Sequence, residues 1–260
     1  MNPLVTLTTD FGTKDPYVAA IKGVFLSKIP KVRLVDITHE IPSFDPMMAL
    51  PYLVDTLPWF PEKSFHLIVI DPGVGSTRKA VAIQGSFGWA VLPDNGLPAL
   101  IREWMGPILC YQIRTSLISD SLDSPTFQAR DLFAPALIKL ALGNNPEQLG
   151  ERMDPENLFH FSHLLPKGHL RVWNVDRFGN VLLGYHSKET PLSVSIVIDK
   201  TEIPFVKHYQ DVPIGKTGVL VNSSGWLEIF CREGSASRAL NLSQGHILLV
   251  RIQGGKGRTF

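Results

Sequence analysis

The sequence predicts an α/β N-terminal domain with a largely parallel sheet, followed by a small all-β, barrel-like C-terminal domain. Three observations carry this. Between residues 4 and 71, short apolar β-branched runs alternate with segments of helical spacing. Three of those runs close on an aspartate: Asp10, Asp36 and Asp71. From about Gly168 onward, strand-like runs follow one another with only turn residues between them. The expected domains are residues 1–162 and 168–255, divided where "LLPKG" breaks periodicity. A chain of 260 residues, 44% hydrophobic, is long enough to bury a core in each.

In order, "LVTLTTD" (4–10) reads as a strand. The next segment reads as a helix with Asp15 as N-cap and Pro16 at the first helical position. Val18, Ile21, Phe25 and Ile29 form its apolar face. "VRLVDI" is a second strand, and "PMMALPYLVDTLPWF" a helix interrupted by Pro51. "SFHLIVID" is a third strand, and "WAVL" a further one before "PDNG". "RDLFAPALIKLALG" is a packed helix ending on Gly143, with Arg130 and Asp131 bracing or capping. The second domain reads as the strands "HLRVWNVD", "NVLLGY", "LSVSIVID", "KTGVLVN", "GWLEIF" and "HILLVRI", with a short helix at "GSASRAL". The glycine-rich tail after residue 252 reads as frayed.

Composition narrows the function classes. With 25 basic against 24 acidic residues the net charge is +1. No long-range field points to nucleic acid or an anionic membrane, so the expected partner is a small molecule. Cys110 and Cys231 form no CxxC pair, which argues against a disulfide framework or a zinc site. No secretory signal or bilayer-spanning apolar run is visible, and the expected location is cytoplasmic.

"VIDPGVGSTRKAV" (69–81) has the look of a phosphate loop but not its chemistry. In the P-loop register Arg78 stands at the second glycine and Ala80 at the Ser/Thr. "KAVAIQGS", which follows, alternates like a strand, so no helix N-terminus faces an anion. The strand-end Asp71 and Arg78 read instead as an ion pair across a tight turn, with other polar groups converging on it. Three strand-end aspartates with His39 leave a divalent-cation site open as a minority reading; His39 reads rather as loop-ordering.

Seven segments in order, "TDFGTKDPYVAAIKG", "VDITHEIPSFD", "VIDPGVGSTR", "PDNG", "TFQARDLFAP", "DRFGN" and "NSSGWLEI", resemble the S-adenosylmethionine (SAM) hydroxide adenosyltransferases. These are SAM hydrolases related to the SAM-dependent chlorinases and fluorinases. The resemblance spans nearly the whole chain. It implies attack of water at ribose C5′, release of adenosine and methionine, no cofactor, and a homotrimer with sites between subunits.

The resemblance makes Asp71 and Arg78 two members of the water-activating set. The third is a histidine in the family, and here it is Gln128, which cannot accept a proton at neutral pH. The expectations are a slowed hydrolase that Gln128→His accelerates or, alternatively, a SAM- or adenosine-binding protein without turnover. A metal-dependent nucleotide hydrolase is the third reading. Halide chemistry is disfavoured by retention of Asp71 and by Ala129, which has no hydroxyl. For the substrate, the resemblance assigns Asp10 to the ribose hydroxyls and Phe44 to the ribose pocket, with Asp94 and Asn95 adding polar groups. It assigns Asp176 and Asn180 to the methionine end, Phe178 to stacking on adenine, and Ser223 and Glu228 to the adenine surroundings. Gly184 stands where the family often has asparagine.

Overall fold

The computed structural model describes residues 2–118, 126–161, 165, 168–186, 195–198 and 201–253. The chain divides into two compact units, Met1–Ser162 and His163–Phe260.

The first unit runs β1 (Leu4–Thr9), α1 (Tyr17–Lys28), β2 (Arg33–Thr38), α2 (Leu50–Thr56), β3 (Phe65–Val69), β4 (Ala80–Gly85), β5 (Gly88–Pro93), α3 (Leu97–Met105), β6 (Leu109–Ile113), α4 (Thr115–Ile118), α5 (Ala134–Ala141) and β7 (Gly150–Met153). One sheet holds its strands in the order β2-β1-β3-β5-β4-β6-β7. The β2, β1, β3 and β5 strands are mutually parallel, while β4, β6 and β7 pair antiparallel. The parallel half is the one the sequence announces, because β1, β3 and β5 are buried along nearly their whole length, while β2 at the edge of the sheet is partly exposed. Val5, Leu7, Leu67 and Val69 join Ile21, Phe25 and Ile29 of the apolar face of α1 in one buried cluster, and Val18 on the same face is buried as well.

Two local readings change. Pro16 rather than Asp15 is the N-cap of α1, and no side chain caps it; the Pro16 carbonyl accepts from Ala20 N at 2.9 Å. Pro51 does not break the helical run but marks a change in it: a 3-10 turn, Pro46–Ala49, passes into α2, and Pro51 lies in the first turn of α2, where its missing N–H has no helical partner to lose.

The second unit comprises β8 (His169–Val175), β9 (Val181–His186), β10 (Ser195–Ile198), β11 (Thr201–Pro204), β12 (Thr217–Val221), β13 (Trp226–Cys231), α6 (Ala236–Ala239) and β14 (Ile247–Gln253). They form one antiparallel sheet, β11-β10-β14-β8-β9-β13-β12, and a bridge from Phe205 to Val219 nearly closes it into a barrel. Val172, Val181, Leu183, Val219, Leu227 and Ile229 fill its interior. Most of the expected join around residues 160–168, the start of the "LSVSIVID" strand and the tail beyond Gln253 lie outside the described residues. Among the described residues no helix is long and apolar enough to cross a membrane.

Candidate active site

Asp71 stands just past β3, at the carboxyl edge of the parallel strands, where α/β sheets bind ligands. The loop after it curls tightly: Ser76 N donates to Gly73 O at 3.0 Å, and Arg78 N to Ser76 Oγ at 3.2 Å. Its glycines have separate reasons. Gly75 holds φ +79°, and a Cβ on Gly73 would lie 3.1 Å from Arg78 Cγ. Both serve the return of Arg78 onto Asp71. Arg78 Nε donates to Asp71 Oδ1 at 2.8 Å and Nη2 to Oδ2, a bidentate pair whose side chains are 11% and 5% exposed.

Arg78 is fixed from two further directions. Its Nη2 also donates to Gln128 Oε1, and its guanidinium lies 5.1 Å from the centroid of the buried Phe133 ring. Gln128 precedes and Phe133 closes a π turn, Ala129–Phe133, that leads into α5. In an α-helix residues five apart point about 140° away from each other. The wider π turn closes that angle, so both side chains reach one guanidinium. Sequence periodicity treats the segment as an ordinary packed helix, and Phe133 carries no sign of this contact.

Gln128, Asp71 and Asp10 line a cavity of 380 Å³ together with Phe11, Tyr17 and Phe44. Phe11, Tyr17 and Phe127 pack against one another with centroids 5.3–6.2 Å apart, giving the cavity an aromatic wall. Asp10 Oδ2 accepts from Phe44 N at 3.1 Å. Phe44 has φ +67° and is 74% exposed, a backbone state that a bulky residue adopts only when held. Burial raises the Asp10 carboxyl above its usual range, and the neighbouring Asp71 charge adds to this.

The third strand-end aspartate is elsewhere. Asp36 lies within β2, accepts from Lys22 Nζ at 2.6 Å, and faces His39 Nε2 at 3.2 Å. The His39 ring is buried, its Nδ1 is 2.8 Å from Thr9 Oγ1, and its carbonyl accepts from Gly12 N at 2.7 Å. The His39 loop is thereby stitched to the end of β1, beside Asp10. Among the described residues no group of three His, Cys, Asp or Glu side chains is placed to hold a metal ion.

Asp94 and Asn95 make structural bonds outside this cavity. Buried Asp94 accepts from Phe159 N at 2.9 Å, while Asn95 Nδ2 donates to Ile70 O at 2.7 Å and so braces the strand end next to Asp71.

In the second unit, "DRFGN" is a turn closed on itself. Asp176 Oδ1 accepts from Phe178 N at 2.9 Å and Asn180 N at 2.8 Å, and Oδ2 from Asn180 Nδ2 at 3.0 Å. Asp176, Phe178 and Asn180 line a cavity of 680 Å³ with Ser235, Ser237 and Arg238. The Phe178 ring is 71% exposed. Ser223 is exposed in the turn between β12 and β13, and buried Glu228 accepts from Tyr209 Oη at 2.8 Å; neither lines that cavity. A Cβ at Gly184 would lie 2.9 Å from the Trp173 ring, so the indole fills the space an asparagine needs.

Comparison with known proteins bears on this geometry. The chain is 35% identical over 253 residues to an (R)-S-adenosyl-L-methionine hydrolase of Thermus thermophilus, covering 94% of this chain and 98% of that protein. A protein of the same name from Methanocaldococcus jannaschii is 32% identical, with 92% of each chain covered. A fluorinase of an Actinoplanes species is 25% identical, with 96% and 97% covered. Among solved structures, an uncharacterized conserved protein from Thermotoga maritima superposes with a TM-score of 0.84 at 28% identity, covering 95% of this chain and all of that one. A family model described as the SAM hydroxide adenosyltransferase N-terminal domain matches residues 5–150, and the corresponding C-terminal model matches residues 170–248. The two models account for both units in order, and the chain belongs to the SAM hydroxide adenosyltransferase family.

Proposed function

We propose that this protein hydrolyses S-adenosyl-L-methionine to adenosine and L-methionine. The observation that carries the reading is that Asp71 and Gln128, both bonded to Arg78, stand on the wall of the cavity that also holds Asp10. In the reaction, the oxygen of water bonds to ribose C5′ as the C5′–S bond breaks. That bond's electron pair stays on sulfur, methionine leaves as a neutral thioether, and the water gives up one proton along its hydrogen bond to Asp71, which returns it to solvent. Asp71 accepts the hydrogen bond from the attacking water, orients it and takes its proton, while the bidentate Arg78 guanidinium fixes the carboxylate in place. Asp10 accepts from the ribose hydroxyls, and the carboxylates stabilise the sulfonium cation before it is discharged.

A sulfonium with three different substituents is pyramidal and stereogenic. The curated relatives are named for the (R) form, and we take that epimer as the substrate here. The reading calls for no cofactor. It assigns the methionine end to Asp176 and Asn180 and the adenine to Phe178, with a cytoplasmic homotrimer whose neighbouring subunits complete each site. The exposed rings of Phe44 and Phe178, one on each cavity, are apolar surface that such an assembly covers.

The test is incubation of the purified protein with each sulfur epimer, with adenosine and methionine quantified. The expected result is equimolar release from the (R) epimer. Asp71→Asn lowers kcat/KM by about 100- to 10,000-fold, the range of a lost acid–base group. Tight binding of either epimer without product overturns the reading and leaves a binding protein.

A further inference from the structure

We infer that Gln128 acts as a hydrogen-bond donor to the nucleophilic oxygen, and that its amide replaces a neutral imidazole rather than a lost base. The inference rests on the hydrolase reading above and specifies one residue's part in it.

A guanidinium carries five N–H donors and no acceptor. Whichever end of the Gln128 amide meets Arg78 must therefore be the oxygen, and Oε1 is the atom that accepts from Arg78 Nη2. Arg78 itself has no freedom to turn, held by both oxygens of Asp71 and by the Phe133 ring. The orientation of the amide follows from this, and its NH2 group is the polar end that Gln128 presents to the 380 Å³ cavity. Gln128 thus offers the nucleophile a donor, opposite the acceptor Asp71. A water between them gives one hydrogen to Asp71, accepts from Gln128 Nε2 on one lone pair, and keeps the other lone pair for C5′. As the oxygen loses its proton, the Nε2–H bond strengthens, because the acceptor is becoming anionic.

A neutral histidine in the same place does the same two things. One ring nitrogen accepts from Arg78, and the other, protonated, donates to the nucleophile. Glutamine keeps both functions and drops only the titration. The expectation that Gln128→His accelerates the enzyme therefore does not follow from this geometry. Protonation would instead cost a histidine its acceptor and set it against Arg78. The other charged or titratable groups around this position are Asp10, Asp71 and Tyr17 on the cavity, and the Arg130–Asp131 pair one turn along.

Two variants separate donor from acceptor. Gln128→Glu keeps an oxygen for Arg78 but turns a second acceptor toward the nucleophile. Its kcat is expected to fall by about 100-fold, the cost of one donor at a developing anion. Gln128→His is expected to stay within about tenfold of the parent at about pH 9, and to lose kcat with an apparent pKa below the usual histidine value, a limb in kcat that the parent lacks and that is separate from the Asp10 decline in kcat/KM. A Gln128→Glu enzyme as fast as the parent or faster overturns the inference.

If the parent releases no adenosine from either epimer, the hydrolase reading fails first, and the amide is read without turnover. Crystals of the parent with adenosine should then hold a solvent oxygen bonded to both Gln128 Nε2 and Asp71. Solvent on Oε1, with Arg78 released from it, overturns the donor assignment.

Discussion

At the scale of single residues, the site is built around two used carboxylates and one used amide. Asp10 is the clearest case, because its Oδ2 already accepts from Phe44 N and its burial raises its pKa. Ionised Asp10 is the form that accepts from two hydroxyls. Substrate affinity is therefore expected to decline as pH falls, from a point above the ordinary carboxylate range of 3.8. Asp10→Asn should raise KM by about 10- to 100-fold, the worth of one charged hydrogen bond, and remove the acid decline in kcat/KM. An unchanged KM with a lowered kcat would move Asp10 from binding to chemistry.

At the scale of elements, β1 and β3 are joined by more than their ladder. His66 in β3 is fully buried, with Nε2 2.9 Å from Phe87 O and Nδ1 2.7 Å from Thr6 Oγ1 in β1. The carbonyl can only accept, so Nε2 carries the proton and Nδ1 accepts from the threonine. Burial lowers the His66 pKa from 6.5 to about 4. Between those values the unfolded chain binds a proton that the folded chain refuses, so stability is complete above 6.5 and falls with pH through this window. The full loss is about 3 kcal/mol. Urea unfolding at about pH 7.5 and about pH 5 should show about 2 kcal/mol of it, and His66→Gln, which keeps both bonds, should flatten the difference. The π turn before α5 is the other decisive element, since it aligns Gln128 and Phe133 on one guanidinium.

At the scale of the whole molecule, each unit has its own core, the first around an α/β sheet and the second inside a nearly closed barrel. The proposed trimer predicts a light-scattering mass about three times the 28.9 kDa chain. A monomer mass in the active preparation would separate hydrolysis from the shared-site arrangement.

The sequence by itself determined the order of elements from β1 to β5, every strand of the second unit but β11, the two fold classes and the family. Periodicity reports burial, as at Val18, Ile21 and Phe25, and turn residues punctuate the strands of the barrel. It also marked Asp71 and Arg78, which lie seven residues apart in one loop, and Gln128 through the resemblance. The antiparallel half of the first sheet was not legible, because β6 and β7 pair across intervening helices rather than through a hairpin. Only the tertiary structure decided that Asp36 belongs to Lys22, that Asn95 braces Ile70, and that Phe133 lies on Arg78. It alone turned the Gln128 amide, because the partner that orients it is 50 residues away in sequence. The direction of a hydrogen bond belongs to a pair of groups, and the fold brings that pair together.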